Sequence, residues 1–255
     1  GVDGKWHPVL ARGVPIRDED GQVVCWAGIN LDIANLKQTE KKLQNLLREK
    51  EVLLQEVHHR VKNNLQVISS LFSLQADKLA VEGVRSEFDD MCDRIRTMSL
   101  IHEKLYKTGD LGQLNFAEYA TDLLRSLWRS HSVLAEKVRL NLALSPVELS
   151  IELAVPCGLI LNELATNALK HAFYDTVDGE VTVGLAHDPN AGTVCLQVAD
   201  NGSGLPNGIN WQETGSLGLH LVQILARQLG GTIDFAEGPG ADFSLTFPLK
   251  GLPDE

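Results

Sequence analysis

Two adjacent histidines, His58 and His59, stand in the run "EVHHRVKNNLQ". An imidazole with an ordinary pKa of about 6.5 is largely neutral at pH 7 and can act as a nucleophile. Farther along, "LILNELATNALKHAF" carries Glu163, Asn167 and Lys170 at separations of four and three, which puts them on one helical face. Carboxylate and amide oxygens there suit magnesium, and Lys170 with His171 supplies positive charge for a phosphate tail. Next, "VADNGSGLP" ends an apolar strand on Asp200, followed by Gly202 and Gly204. Such a carboxylate can accept a hydrogen bond from the amino group of a base, while the glycines keep the backbone close to the ligand. Last, "TGSLGLHLVQILAR" sets Gly215 and Gly218 at a helix start, where free N–H groups and the helix dipole favour phosphate. Each set alone is common in folded proteins. Neither GxxxxGK[ST] nor a GxGxxG after a first strand is present, so the phosphate site is not a P-loop or a dinucleotide fingerprint.

The elements that must position these residues are readable from periodicity. Leu54, Val57, Val61, Leu65, Ile68 and Phe72 are spaced 3, 4, 4, 3 and 4, an apolar helical stripe. At about 100° per residue His58 falls within roughly 100° of every member, whereas His59 lies roughly 120–200° away. His58 is thus expected to flank the packed seam, and His59 to face water with Lys62 and Asn63. The helix carrying them begins near Ala34 and runs without glycine or proline. A turn around Gly83, a second helix and a stop near Gly109 complete an antiparallel hairpin. One hairpin buries little, so pairing with a second copy into a four-helix bundle is expected. Beyond Leu114 the pattern predicts helices at 116–130, 152–173 and 217–229. Strands are expected at 136–144, 179–187, 192–200, 231–236 and 242–248, giving an α/β sandwich with helices on one face of a mixed sheet. Before all of this, residues 6–33 read as two strands around Asp20-Gly21.

Composition narrows the class. A hydrophobic share of 44% and a charged share of 22% suit a globular fold, and no apolar run approaches the roughly 20 residues that cross a bilayer. The start carries no signal-peptide pattern, and the expected location is cytoplasmic. The net charge of -11 argues against a nucleic-acid partner, so a polyanionic ligand must be held by local dipoles and a metal ion. Cys25, Cys92, Cys157 and Cys195 lie far apart without a CxxC pair, and are expected as buried, reduced thiols.

The ordered set of Asn box, DxGxG and GxG before a helix resembles the Bergerat ATP-binding fold, shared by histidine kinases, type II topoisomerases, mismatch-repair ATPases and a class of heat-shock chaperone. The resemblance covers about residues 114–249. It implies that Asn167 coordinates magnesium with Glu163 nearby, that Asp200 binds adenine, and that Gly202 and Gly204 shape its pocket. Gly215 and Gly218 would close over the phosphates, and Thr246 in "FSLTFP" would lie near adenine. With that in place, "HHRVKNNLQ" and "RIRTMSLIHEKLY" resemble the second dimerisation-and-phosphoacceptor class of sensor histidine kinases, close to the HWE kinases. In that class the histidine before Arg is phosphorylated, which selects His59. Arg60 stands where most histidine kinases have an acid, and Glu56 and Glu163 are both candidates for the base. "PIRDEDGQVVCWAGINLDI" resembles the last hairpin of a PAS sensor domain.

The expected layout is therefore α+β. A PAS-like hairpin occupies 1–33, a helical linker 34–50, a dimerising phosphotransfer hairpin 51–113 and an ATP-binding domain 114–255. The implied function is ATP- and Mg²⁺-dependent autophosphorylation of His59, then transfer to an aspartate of a separate response regulator. The rivals are an ATP-hydrolysing clamp, with Glu163 activating water, and a dimeric scaffold that only senses nucleotide.

Overall fold

The structure, a computed structural model, describes residues 4, 6–76, 82–108, 113–131, 137–173, 178–205, 211 and 217–249. It divides into two compact units, Gly1–Glu56 and Val57–Glu255. In the first, β1 (Val9–Arg17) and β2 (Val23–Asp32) pair antiparallel. Their turn is fixed by the Asp18 carboxylate, which accepts from the backbone N–H of Asp20 and Gln22, and by Gly21 at φ +80°. The long helix α1 (Ala34–Ala76) starts on Asp32, whose carboxylate accepts from the Ala34 N–H at 2.8 Å.

In the second unit, the later part of α1 packs on α2 (Glu82–Thr108). Phe72 meets Phe88 edge-on with centroids 5.7 Å apart, and the Cys92 thiol reaches the Ser69 carbonyl at 3.5 Å. Gly83 does not form the expected turn: it lies in the first turn of α2, where a helix tolerates glycine at modest cost. The apolar stripe on α1 splits in two. Val61, Leu65 and Phe72 turn toward α2, while Leu54, Val57 and Ile68 stay exposed. The stripe is wider than one neighbouring helix covers.

The rest of the unit is β3 (Gln113–Asn115), α3 (Phe116–Ser130), β4 (Val138–Leu144), β5 (Glu148–Ser150), α4 (Ile151–His171), β6 (Gly179–Asp188), β7 (Thr193–Asp200), α5 (Leu217–Gln228), β8 (Thr232–Glu237) and β9 (Ala241–Pro248). The five-stranded sheet runs β4-β6-β7-β9-β8, with β4 parallel to β6 and the other pairs antiparallel. The short β3–β5 pair, which the sequence pattern does not announce, sits outside that sheet. Alternate residues Val181, Val183, Val194, Leu196, Phe243, Leu245 and Phe247 are buried beneath the helices. Gly158 in α4 lets Tyr119 come close, since a Cβ there would lie 2.6 Å from its hydroxyl. That hydroxyl donates to the Thr97 carbonyl of α2 at 3.3 Å. Cys92 and Cys157 are buried, Cys195 is half-buried and, against expectation, Cys25 is exposed on β2. No described helix is long and apolar enough to cross a membrane.

Candidate functional site

Strand β7 delivers Asp200 to the mouth of a cavity of about 380 Å³, within the usual range for small-molecule sites. The cavity is walled by Leu164, Val198, Leu219 and Phe243, with Asn167, His171, Asp200 and Ser203 as its polar members. Asp200 Oδ1 accepts from the N–H of Gly202 at 2.9 Å and of Ala241 at 3.2 Å, which fixes the carboxyl in place. Burial raises its pKa, and the same two hydrogen bonds partly oppose the rise. Glycine is required beside it for steric reasons. A Cβ on Gly202 would run into the Ala172 carbonyl oxygen, and one on Gly240 into the Asp200 backbone. Gly204 has φ +66°.

Helix α4 forms the other wall. Asn167 reaches the cavity, and Gly218, in the first turn of α5, stands beside it. A Cβ on Gly218 would lie 2.9 Å from Glu163 Oε2 and 3.9 Å from Asn167 Nδ2. The amino end of α5, where the helix dipole favours negative charge, therefore faces Asn167 at one end of the cavity. Glu163 is only 7% exposed. Both of its oxygens accept from Arg94 of α2: Nε donates to Oε1 at 2.6 Å and Nη2 to Oε2 at 2.9 Å. Lys170 Nζ donates to Asp90 Oδ1, also on α2. Thus Asn167, His171, Asp200 and Gly204 line one cavity, with Gly202 and Gly218 shaping it, while Glu163 and Lys170 lie alongside but engage α2.

Thr246 is not brought there. It alternates with Leu245 and Phe247 on β9, so its side chain lies on the sheet face opposite the helices and the cavity. Gly215 lies outside the described residues. Residues missed by sequence reasoning are Gly240 and Ala241, of which the second contributes only a backbone N–H. The glycines of "GPGADF" are their one signal.

On the hairpin, His58 and His102 of α2 share a hydrogen bond between their Nδ1 atoms at 3.0 Å. Burial and then the charge of His58 hold His102 below its ordinary pKa. His59 is exposed. Lys62, expected on the water face, instead bridges to Glu103 of α2 at 2.8 Å. Its long stem reaches around the helix from a boundary position.

Comparison with known proteins matches the same two regions. A family profile described as "Histidine kinase" covers residues 56–131, and one described as "Histidine kinase-, DNA gyrase B-, and HSP90-like ATPase" covers residues 153–251. Blue-light-activated histidine kinase 2 of Erythrobacter litoralis (strain HTCC2594) is 28% identical over 258 residues, 97% of this chain and 70% of the relative. Sensor histidine kinase PdtaS of Mycobacterium tuberculosis is 29% identical over 251 residues, and the chain spans about half (48%) of that relative's length. The solved histidine kinase domain from the Erythrobacter litoralis EL346 blue-light activated histidine kinase superposes with a TM-score of 0.59 at 25% identity. That match covers 79% of this chain and 96% of that structure. A helical hairpin bearing the paired histidines, followed by a mixed-sheet ATPase domain with its cavity between Asn167 and Asp200, places this chain among the sensor histidine kinases of the HWE type.

Proposed function

We propose that the chain transfers the γ-phosphoryl group of ATP to His59 and then to an aspartate of a response-regulator receiver domain. The observation that carries this reading is the pairing of an exposed His59 on α1 with a base-and-phosphate cavity bounded by Asp200, Asn167 and the amino end of α5. Asp200, held by two backbone N–H groups, accepts from the adenine amino group. His171 and the start of α5 receive the phosphates.

In the transfer, an unprotonated His59 ring nitrogen attacks the γ-phosphorus. The N–P bond forms as the bond to the β-bridging oxygen breaks and ADP leaves. The other ring nitrogen passes its proton to a base, with Glu56 as the candidate on the same helix. The N–P bond then breaks as the aspartate oxygen of the receiver attacks phosphorus. Catalysis of this kind rests on positioning and charge neutralisation. The residues present fit magnesium through Asn167, whose amide stands between the cavity and α5. Glu163, the second ligand expected from sequence, has both oxygens engaged by Arg94. When bound, magnesium would neutralise charge between the terminal phosphates.

We further propose that residues 1–33 end a PAS-like sensor domain, 34–50 link it to the phosphotransfer hairpin of 51–113, and 114–255 bind ATP. The exposed Leu43, Leu46, Leu53, Val57, Leu71 and Leu74 of α1 support pairing with a second copy as a homodimer. A cytoplasmic location follows from the need for ATP and a soluble regulator.

The deciding experiment is phosphoryl incorporation from γ-labelled ATP into the wild type, His58→Gln and His59→Gln. Acid-labile label lost only in His59→Gln supports the reading, whereas label that survives in His59→Gln refutes the assignment. Free phosphate released without any label would move the chain to the ATP-hydrolysing clamps, and bound nucleotide with neither product to the sensing scaffolds.

A further inference from the structure

Two ion pairs join α2 to α4, and both occupy residues of the nucleotide domain that flank Asn167. Glu163, one turn before Asn167, takes the bidentate Arg94 guanidinium. Lys170, one turn after it, takes Asp90. The charges are crossed: α2 offers an acid and then a base, α4 an acid and then a base, and the antiparallel pairing satisfies both. Only one direction and one register of the two helices does so. The Arg94 and Glu163 side chains are 17% and 9% exposed, so the pair is largely withdrawn from water. The guanidinium stands on Glu163 as a metal cation would, and a Cβ on Gly218 at the phosphate end would lie 2.9 Å from the same carboxylate. Beside the pairs, a cavity of about 120 Å³ separates the helices, and Thr166 Oγ1 on its wall is buried with no hydrogen-bond partner among the described residues. The charged pairs thus border a polar cavity with room for water rather than a dry apolar seam.

We propose that Asp90 and Arg94 form a clasp through which the phosphoacceptor hairpin opposes nucleotide loading, the hairpin and a magnesium-bound nucleotide competing for Glu163 and Lys170. The inference rests on the nucleotide reading of the cavity. By thermodynamic reciprocity, whatever the clasp takes from nucleotide affinity, the nucleotide takes from hairpin docking. Asp90 and Arg94 act through their partners and are positioning residues.

The test is calorimetric binding of a non-hydrolysable ATP analogue with Mg²⁺ to the full chain, in the wild type, Asp90→Asn, Arg94→Gln and Arg94→Lys. It is paired with amide hydrogen exchange across residues 90–104. Asp90→Asn and Arg94→Gln should bind about 5-fold or more tightly, with Arg94→Lys, which keeps the charge but not the fork, in between. The analogue should speed exchange in α2 of the wild type and add little in the two clasp-breaking variants. Unchanged or weaker binding in both folded variants, or α2 exchange in the wild type that is indifferent to the analogue, overturns the clasp. Should Arg94→Gln lose its melting transition, Asp90→Asn decides alone. A wild type that binds no analogue would overturn the nucleotide reading itself, a result distinct from loss of the clasp.

Discussion

Helices α1 and α4 both carry apolar residues at helical spacing, α1 among many charges and α4 among few, and they meet opposite fates. Of the 21 residues of α4, 15 are buried, packed between α2, α3, α5 and the sheet. Along the 43 residues of α1, Ala76 is the one buried position among the described side chains. Helix α4 therefore finishes its own surroundings: its apolar content is spent on a core that this chain supplies. Helix α1 carries eight leucines at 38–66% exposure with no such core to enter among the described residues. The nucleotide domain specifies its interior alone, and the hairpin specifies a surface. Helical periodicity shows that a face is apolar and says nothing about which chain covers it.

The comparison breaks most severely at the glycines of the nucleotide domain. Gly202→Ala pushes a methyl group into the Ala172 carbonyl, an overpacking that costs about 3 kcal/mol. Scanning calorimetry should show a melting temperature lowered by roughly 5–10 °C, with nucleotide binding lost. Next in size is Asp200→Asn, which keeps the shape and removes the charged acceptor. A hydrogen bond to a charged group is worth about 1.5–3 kcal/mol, so ATP affinity should fall about 10- to 100-fold. Because burial raises the pKa of Asp200, wild-type affinity should also decline on acidification at a pH above the ordinary carboxylate range. The Asn variant should be flat there.

Helix α1 gives the converse result. Leu46→Glu with Leu53→Glu should raise the dimer dissociation constant at least about tenfold in sedimentation while leaving ATP affinity unchanged. A monomeric wild type would sink that expectation and leave the exposed stripe to another partner.

The smallest effect belongs to the hairpin interior. His102 has a folded pKa below its unfolded value, so between the two the unfolded chain takes up protons that the folded one does not. Stability is then full above about pH 6.5 and is lost as pH falls through the folded pKa, by a fraction of a kcal/mol for a half-exposed group. One proton between the two Nδ1 atoms makes the bond with His58, and a second forces two N–H groups together. Chemical melts of His102→Phe across this range should lose the acid sensitivity.

Much of this was legible beforehand. Helix α3 was predicted at its observed limits, and the other large elements of the ATPase domain within a few residues, because their apolar residues repeat at 3.6 or 2. The wheel also separated a half-buried His58 from an exposed His59. What stayed hidden depends on distance along the chain. Arg94 and Asp90 meet partners 69 and 80 residues away, and surface-like charges carry no mark of such a meeting. Ala241 acts through its backbone, which the side chain does not reveal. Thr246 failed for a simpler reason: strand alternation decides its face, and Phe243, Leu245 and Phe247 already claim the side toward the cavity.

The exposure of His59 also sets a lifetime. A phosphoryl group carried on that imidazole, as proposed, would be open to water, where the phosphoramidate bond can hydrolyse. The openness that admits a donor and then an acceptor is also a leak. On the proposed phosphorylation of His59, the chain would work as a relay with a short memory, its output fading when the receiver is scarce.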